Sequence, residues 1–168
     1  MAEVLTGVND VLNHLDRVSA AAKAGALCGL QKAALLVHRE SIKNCPRSPT
    51  MAQIKRDRKT RKDTSKRRKA SAHTRAKPGG LERSIEFEVV DRGSSATAYV
   101  FVAGNSEAGR YAKRVHDEKG KTWQNRGIGT IAKGTRADDK FIERAVAKNS
   151  GKIGAIIKRE IDKAITQS

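Results

Sequence analysis

Few residues in this sequence are arranged as a catalytic group requires. His116 and Asp117 could form a proton relay, but adjacent residues in a chain rarely face each other, and no nucleophile motif accompanies them. Asp138 and Asp139 could bind a cation, although two acids at the start of a predicted helix are more typical of capping. The segment 119–122, Lys-Gly-Lys-Thr, matches only the end of a phosphate-binding loop and lacks its first glycine. We therefore expect no enzymatic activity.

The cysteines and histidines do not form a metal-binding pattern. Cys28 and Cys45 are 17 residues apart, no Cys-x-x-Cys pair occurs, and the four histidines are scattered along the chain. A structural zinc site needs four ligands at close spacing, and a disulfide framework needs more cysteines than these. We expect no metal, no cofactor and no disulfide, which fits assembly in a reducing cytoplasm.

Positive charge is the strongest feature of the composition. The 168 residues contain 35 Lys and Arg against 18 Asp and Glu, for a formal net charge of +17. This exceeds what solubility requires and indicates a polyanionic partner, such as nucleic acid, an acidic protein or an anionic membrane surface. Residues 54–78 alone contain 12 basic residues against two acidic ones. The basic residues are Lys55, Arg56, Arg58, Lys59, Arg61, Lys62, Lys66, Arg67, Arg68, Lys69, Arg75 and Lys77.

The basic segment, residues 51–80, is predicted to be a long flexible insertion loop. No large apolar residue occurs between Ile54 and Gly80, so this stretch cannot bury enough surface to offset its ordering entropy. Its lysines and arginines can neutralise phosphates, but no aromatic residue is present to stack on bases. We expect electrostatic, sequence-independent contact with DNA or with an acidic partner; a purely solvated loop is the alternative.

Two long helices are predicted, one near each end of the chain. Apolar residues in 3–16 follow helical spacing after a short strand or fraying lead, and 18–43 form an alanine-rich helix that ends before Pro46. The last helix covers 138–166. Gly25 and Gly29 weaken the first long helix slightly, and two glycines of the last helix, Gly151 and Gly154, suggest a kink or a close crossing.

A small antiparallel sheet is predicted between the helices. Residues 81–90 alternate, with Ile85, Phe87 and Val89 on one face and two glutamates on the other. Residues 97–103 are apolar on both faces, which suggests a central strand, and a turn joins the two strands as a hairpin. A third strand is possible at 128–131. The fold class is therefore α+β: two long helices packed on a small antiparallel sheet, with a long basic loop.

The chain is expected to be a single domain over 1–168 that self-associates. No uninterrupted run of 18 apolar residues and no basic-then-apolar N-terminus occurs, so we expect neither a membrane span nor a secretory signal. Two amphipathic helices and a few short strands make a thin core. Residues of a subunit interface or of that core are Tyr111, Val115, Phe141, Ile142, Ile156 and Ile157.

Several short motifs follow one another along the chain: Leu-Thr-Gly-Val at 5–8 followed by Val11 and Leu15, Asn-Cys-Pro at 44–46, Gly-Gly-Leu-Glu-Arg-Ser-Ile at 79–85, Tyr-Ala-Lys-Arg-Val-His at 111–116 and Lys-Phe-Ile-Glu-Arg-Ala at 140–145. In this order they resemble the tail-completion or head–tail joining (neck) proteins of tailed bacteriophages, often described as minor tail components. The resemblance covers nearly the whole chain except 51–77, where the basic insertion departs from the family pattern.

This resemblance implies a structural virion protein rather than an enzyme. Such a protein forms an oligomeric ring, expected to be a hexamer, that joins the head connector to the tail and surrounds the path of the genomic DNA. Six copies of the basic segment would place about +60 of charge around one axis. The expected partners are other copies, adjacent neck, connector and tail proteins, and DNA; the expected location is the virion neck after assembly in the host cytoplasm. A standalone basic nucleic-acid-binding accessory protein is the alternative.

Overall fold

The computed structural model describes residues 3–47, 80–105, 108, 109, 112 and 140–168. Its elements are helix α1 (Glu3–Asn44), helix α2 (Gly80–Arg83), strand β1 (Ile85–Asp91), strand β2 (Ala96–Val102) and helix α3 (Phe141–Thr166). Long N- and C-terminal helices accompany a small antiparallel sheet, so the predicted α+β class is confirmed. The predicted third strand at 128–131 lies outside the described residues.

The N-terminal helix is continuous where the sequence predicted a break. Helix α1 has 42 residues, which corresponds to about 63 Å of helix, and it includes the segment around 16–18 where two elements were expected to meet. The first part of α1 contains no proline, and the alanines that begin at residue 20 are the best helix formers. The helix therefore continues through residues 16–18, and the single glycine at Gly7 does not end it. The predicted end is confirmed: α1 stops at Asn44, and Cys45 precedes Pro46.

The first strand begins later than predicted. Residues Gly80–Arg83 form the short helix α2 rather than the start of a strand. The Ser84 hydroxyl donates to the Leu81 carbonyl at 2.9 Å, and the Ser84 amide donates to the Gly80 carbonyl at 3.2 Å. A serine side chain bonded to a nearby carbonyl competes with strand pairing, and this explains why β1 starts only at Ile85.

The two strands form a hairpin whose register follows from two hydrogen bonds. The Arg92 amide donates to Ser95 at one end, and the Ala103 amide donates to Ser84 at the other. The turn between the strands contains Gly93, at φ +84°, where glycine avoids strain. The sheet of the described residues has these two strands, and the central position of the second strand stays a prediction, since its possible neighbour at 128–131 lies outside them.

The alternation predicted for the first strand is confirmed in part. Ile85 is buried, Val89 is half-buried, and the two glutamates of β1 are exposed. Phe87, however, is 38% exposed although it shares the face of Ile85. Tyr99 and Phe101 on β2 are also partly exposed, at 41% and 37%.

The C-terminal helix starts three residues later than predicted. Lys140 has φ +50°, a left-handed conformation that ends a helix, and α3 therefore begins at Phe141. The Arg144 amide donates to the Lys140 carbonyl at 2.9 Å, which is the first bond of the helix. Asp138 and Asp139, predicted to cap this helix, lie outside the described residues.

The described residues group into two compact units. One contains the described parts of Val37–Glu86 and Val100–Lys148, and its core is formed by Cys45, Leu81, Ile85, Ala108, Ala112 and Phe141. In this unit the His38 ring nitrogen Nε2 donates to the Ile85 carbonyl at 3.0 Å, which fastens α1 to the start of β1. That the whole chain is one domain stays a prediction from the sequence.

The other unit contains the described parts of Met1–Leu36 together with Phe87–Tyr99 and Asn149–Ser168. Here α1 and α3 run antiparallel and touch through glycines of α1. A Cβ atom on Gly29 would lie 2.8 Å from the Ile157 Cα, and one on Gly25 would lie 2.8 Å from the Ile161 Cα. The predicted close crossing therefore exists, but the glycines of α1 make it: Gly151 and Gly154 of α3 have no such neighbour within 4 Å.

One helix of the described residues is long and apolar enough to cross a membrane, namely Gly7–Asn44 within α1. The criterion of an uninterrupted apolar run did not detect it, because Lys23 and Lys32 interrupt the run. Core helices and N-terminal signal sequences meet the same length and composition requirements. Both lysines form ion pairs within the protein, at 3.2 Å to Asp91 and 2.7 Å to Glu160.

Candidate functional site

The basic residues predicted to contact DNA or an acidic partner, from Lys55 to Lys77, all lie outside the described residues. The described part of the chain nevertheless carries little of the excess positive charge. It contains 15 Lys and Arg against 11 Asp and Glu, a net charge of only +4. The basic segment, with +10, therefore carries most of the chain's excess charge.

The residues predicted for a core or a subunit interface have different environments. Phe141 is fully buried in the core of its unit, and Ile142 packs against that core. Ile157 faces Gly29 at the helix contact, and Ile156 is half-buried beside it on α3. Tyr111 and Val115 lie outside the described residues. These placements identify Phe141 and Ile157 as packing residues within the chain.

A buried carboxylate holds together several polar groups at the α1–α3 contact. Glu160 is only 7% exposed and accepts hydrogen bonds from the Lys32 ammonium at 2.7 Å and the Arg159 guanidinium at 3.3 Å. The Cys28 thiol also points at this carboxylate, with its Sγ at 3.7 Å from Oε2. Sequence reasoning missed Glu160, since a glutamate on a predicted amphipathic helix is normally solvated.

The protonation of this cluster is shifted toward the ion pair. The hydrogen bond from Lys32 holds the pKa of Glu160 below its ordinary value, and Arg159 adds to the effect. The hydrogen bond to Glu160 in turn raises the pKa of Lys32. A carboxylate with a lowered pKa and a direct cationic partner is a poor proton acceptor, so the arrangement is suited to fastening two helices rather than to acid–base chemistry.

Further ion pairs connect the elements within each unit. The Gly93 amide and then Lys23 hold the pKa of Asp91 below its ordinary value. In the other unit, Glu40 of α1 accepts from Lys43 at 2.7 Å and from Lys148 of α3 at 3.2 Å. No group of three His, Cys, Asp or Glu side chains close enough to hold a metal ion occurs among the residues that the structure describes.

An open depression lies between the middle of α1 and the first strand. It is a shallow surface feature with one ammonium and one carboxylate, and its lysine is already paired with Glu160. Polar groups that converge on a ligand are therefore lacking at this position. The lining residues are Gln31, Lys32, Leu35, Phe87, Glu88 and Val89.

The N-terminal half of α1 carries an uncovered apolar stripe. Val8, Val11, Leu12 and Leu15 are 52–59% exposed, although they repeat at the three- and four-residue spacing of a buried helix face. The sequence pattern identified this spacing and left open whether the stripe is buried within the chain or contacts another subunit. Contiguous exposed apolar residues of this kind mark an interaction surface.

The described residues thus offer an exposed apolar stripe on α1 and a fastened helix pair that continues from it. The predicted polyanion-binding residues belong to a different stretch of the sequence. Comparison with protein-family models, with curated proteins and with solved structures found no match for this chain.

Proposed function

We propose that this chain is a non-enzymatic structural protein that assembles around nucleic acid, specifically a ring-forming component of the neck or tail-completion region of a tailed phage. The observation that carries the proposal is the segregation of charge. The described residues hold 15 basic against 11 acidic residues, whereas residues 54–78 hold 12 against two. A nearly balanced framework thus presents one strongly cationic segment.

The composition of the basic segment supports contact with phosphates rather than with bases. Each phosphate neutralised by Lys or Arg releases counterions, which makes the affinity fall with salt. Residues 54–78 contain no Phe, Tyr or Trp, so the large rings on which bases stack are missing. In a neck, the segment would meet the DNA passing through the channel, or an acidic surface of an adjacent connector or tail protein.

The framework supports an assembly role in two ways. Helix α1 is long and fastened to α3 through the glycine contact and the Lys32–Glu160 pair, which makes a stiff support. Its N-terminal apolar stripe is available to another protein surface. Two parts of the proposal, ring formation and location in the neck, rest on the resemblance of the sequence motifs to the phage neck proteins.

The test combines imaging with a binding measurement. Negative-stain imaging and light scattering of nuclease-treated protein should show closed rings, alone or with the purified connector. Binding to duplex DNA of unrelated sequences should be equally tight, and if about six phosphates are met, log K should fall against log salt with a slope near −5. A strict monomer that binds DNA tightly would favour the alternative, a standalone nucleic-acid-binding accessory protein, and salt-independent binding would contradict both.

A further inference from the structure

The apolar stripe of α1 has no cover among the residues that the structure describes, although it is part of a helix face that is otherwise covered. Gly29 follows Val11 by 18 residues, or about five full turns, so the two residues lie on the same side of α1. At Gly29 this side packs against α3 at Ile157. At Val11 it is exposed, with 59% of the side chain accessible.

The geometry of the helix pair explains where the cover ends. The helices run antiparallel, with Gly29 against Ile157 and Gly25 against Ile161, so moving back along α1 means moving forward along α3. At one residue of α3 for each residue of α1, the end of α3 at Thr166 comes level with about residue 20 of α1. The helix face from there to the N-terminal end of α1 has no partner among the described residues.

We propose that this uncovered segment of α1 pairs with the same segment of a second copy of the chain, in antiparallel orientation. In this arrangement Val8 of each copy faces Leu15 of the other, and Val11 of each copy faces Leu12 of the other. Because the two segments are identical, they have equal length. Each one covers the uncovered stretch of the other copy's α1, from the level of the end of that copy's α3 to that copy's N-terminal turn. A two-fold contact of this kind is self-complementary.

The charges around the stripe favour a protein partner over a membrane surface. The polar face opposite the stripe carries Asp10, Asp16 and Arg17, two acids against one base, together with Asn9 and Asn13. Helices that lie on anionic membranes have Lys and Arg on the polar face instead. On the stripe itself the side chains are aliphatic, so two copies bring no like charges together there.

This inference goes beyond the proposed function and does not depend on it. A two-fold contact joins two copies and stops, whereas a ring needs a head-to-tail contact between different surfaces. The dimer would therefore exist in the isolated protein whether or not a ring forms through other residues, and its test needs neither DNA nor another virion protein.

The experiment measures the mass of the full chain by sedimentation equilibrium, after nuclease treatment and at high salt. The wild-type protein should show a concentration-dependent dimer. Val11→Glu with Leu15→Glu should weaken the dimer at least tenfold, since it places charge on the stripe. The matched control, Asn9→Glu with Asn13→Glu, has the same charge change and the same spacing on the opposite face, and should leave the dimer unchanged.

Three outcomes would overturn the proposal. One is a wild-type protein that remains monomeric, including a monomer that binds vesicles of anionic phospholipid through the stripe. The second is an oligomer of any size whose mass does not respond to Val11→Glu with Leu15→Glu. The third is an equal loss of the dimer in the Asn9→Glu and Asn13→Glu control.

Disulfide trapping tests the orientation. A Val8→Cys chain mixed with a Leu15→Cys chain should oxidise mainly to the mixed dimer, because antiparallel pairing brings these two positions together. Wild-type protein treated in the same way measures the background from Cys28 and Cys45, of which Cys45 is buried. A preference for the two homodimers would indicate parallel pairing and overturn the antiparallel arrangement.

Discussion

Gly29 of α1 lies so close to Ile157 of α3 that a Cβ atom on the glycine would come within 2.8 Å of the isoleucine Cα. Gly25 repeats the contact one turn away, where a Cβ atom would lie 2.7 Å from the Glu160 carbonyl oxygen. Real Cβ atoms do not approach backbone atoms this closely, so neither glycine can gain a side chain without moving a helix. The two glycines set the separation of the helices.

Gly29→Ala should therefore destabilise the protein. Overpacking a close contact costs about 1–3 kcal/mol, which exceeds the gain in helix propensity of about 1 kcal/mol from replacing glycine by alanine. Urea unfolding monitored by circular dichroism measures the change. The matched control is Gly154→Ala on α3, where nothing lies within 4 Å.

The control should have the opposite sign. With open space at Gly154, alanine contributes only its better helix propensity and should stabilise the protein by up to about 1 kcal/mol. If Gly29→Ala were as stabilising as Gly154→Ala, the close contact between α1 and α3 would not exist in solution.

Acid should remove the contribution of the Lys32–Glu160 pair. The pKa of Glu160 is lowered in the folded protein, chiefly by the hydrogen bond from Lys32, so this contribution is present above the unfolded-state pKa and is lost as pH falls through the folded-state pKa. Glu160→Gln should lower the melting temperature at neutral pH and make it fall less steeply on acidification. The pKa of Lys32 is raised, so the same pair also loses its contribution at strongly alkaline pH.

Thermal unfolding of wild type and Glu160→Gln from about pH 6 down to about pH 3 makes this comparison. Glu86→Gln is the control, since Glu86 is an exposed carboxylate on β1 with no ion pair among the described residues. Parallel melting curves against pH for wild type and Glu160→Gln would show that the pair does not stabilise the fold.

Removing the hydroxyl of Ser41 should stabilise the protein. This side chain is fully buried on α1, and its Oγ has no hydrogen-bond partner among the described residues. An unsatisfied buried hydroxyl costs about 1–3 kcal/mol, and alanine is also the better helix former. Ser41→Ala should raise the free energy of unfolding by about 1 kcal/mol in urea titrations. A loss of stability would mean that the hydroxyl has a partner in solution.

Charge removal from the basic segment should weaken DNA binding without affecting the fold. Changing Lys66, Arg67, Arg68 and Lys69 to Ser should leave the melting temperature unchanged and, if all four meet phosphates, reduce the salt slope of binding by about 3–4. Fluorescence anisotropy with duplex DNA at several salt concentrations measures the slope. In the proposed virion role, the same variant should impair DNA retention or particle assembly.

A control variant separates local charge from net charge. Changing Arg92, Lys152, Lys158 and Lys163 to Ser removes the same charge from exposed positions of the described framework. Its salt slope should remain close to that of the wild type. Equal losses in both variants would show that net charge, rather than the basic segment, determines binding.

The element types followed from local sequence, but several boundaries did not. Helical spacing and strand alternation correctly predicted two long helices and a hairpin, and Pro46 marked the end of α1. The predicted break near residue 17 was wrong because nothing in that segment stops an alanine-rich helix. The late starts of β1 and α3 depend on the Ser84 hydroxyl bond and on the left-handed Lys140, which sequence patterns do not reveal.

The meaning of the glycines and of Glu160 depended on tertiary contacts. On propensity alone, Gly25 and Gly29 were weak points of α1, and Gly151 and Gly154 were candidates for a crossing. In the structure the roles are reversed: Gly25 and Gly29 form the close contact, and Gly151 and Gly154 do not. A glycine allows a close contact only where the backbone of another helix approaches it, so the position of the partner helix decides which glycines do so. The environment of Glu160 also depends on the partner helix, because Lys32 of α1 pairs with this carboxylate of α3.

The sequence by itself determined the charge segregation, the α+β class and the spacing of the stripe, since composition and periodicity are properties of the chain alone. Only the tertiary structure decided which apolar faces are covered. Val8, Val11, Leu12 and Leu15 have the spacing of a buried face, yet they are exposed because α3 reaches only the later part of α1. Periodicity indicates which residues favour burial, whereas the lengths and directions of the packed helices determine which of them are buried.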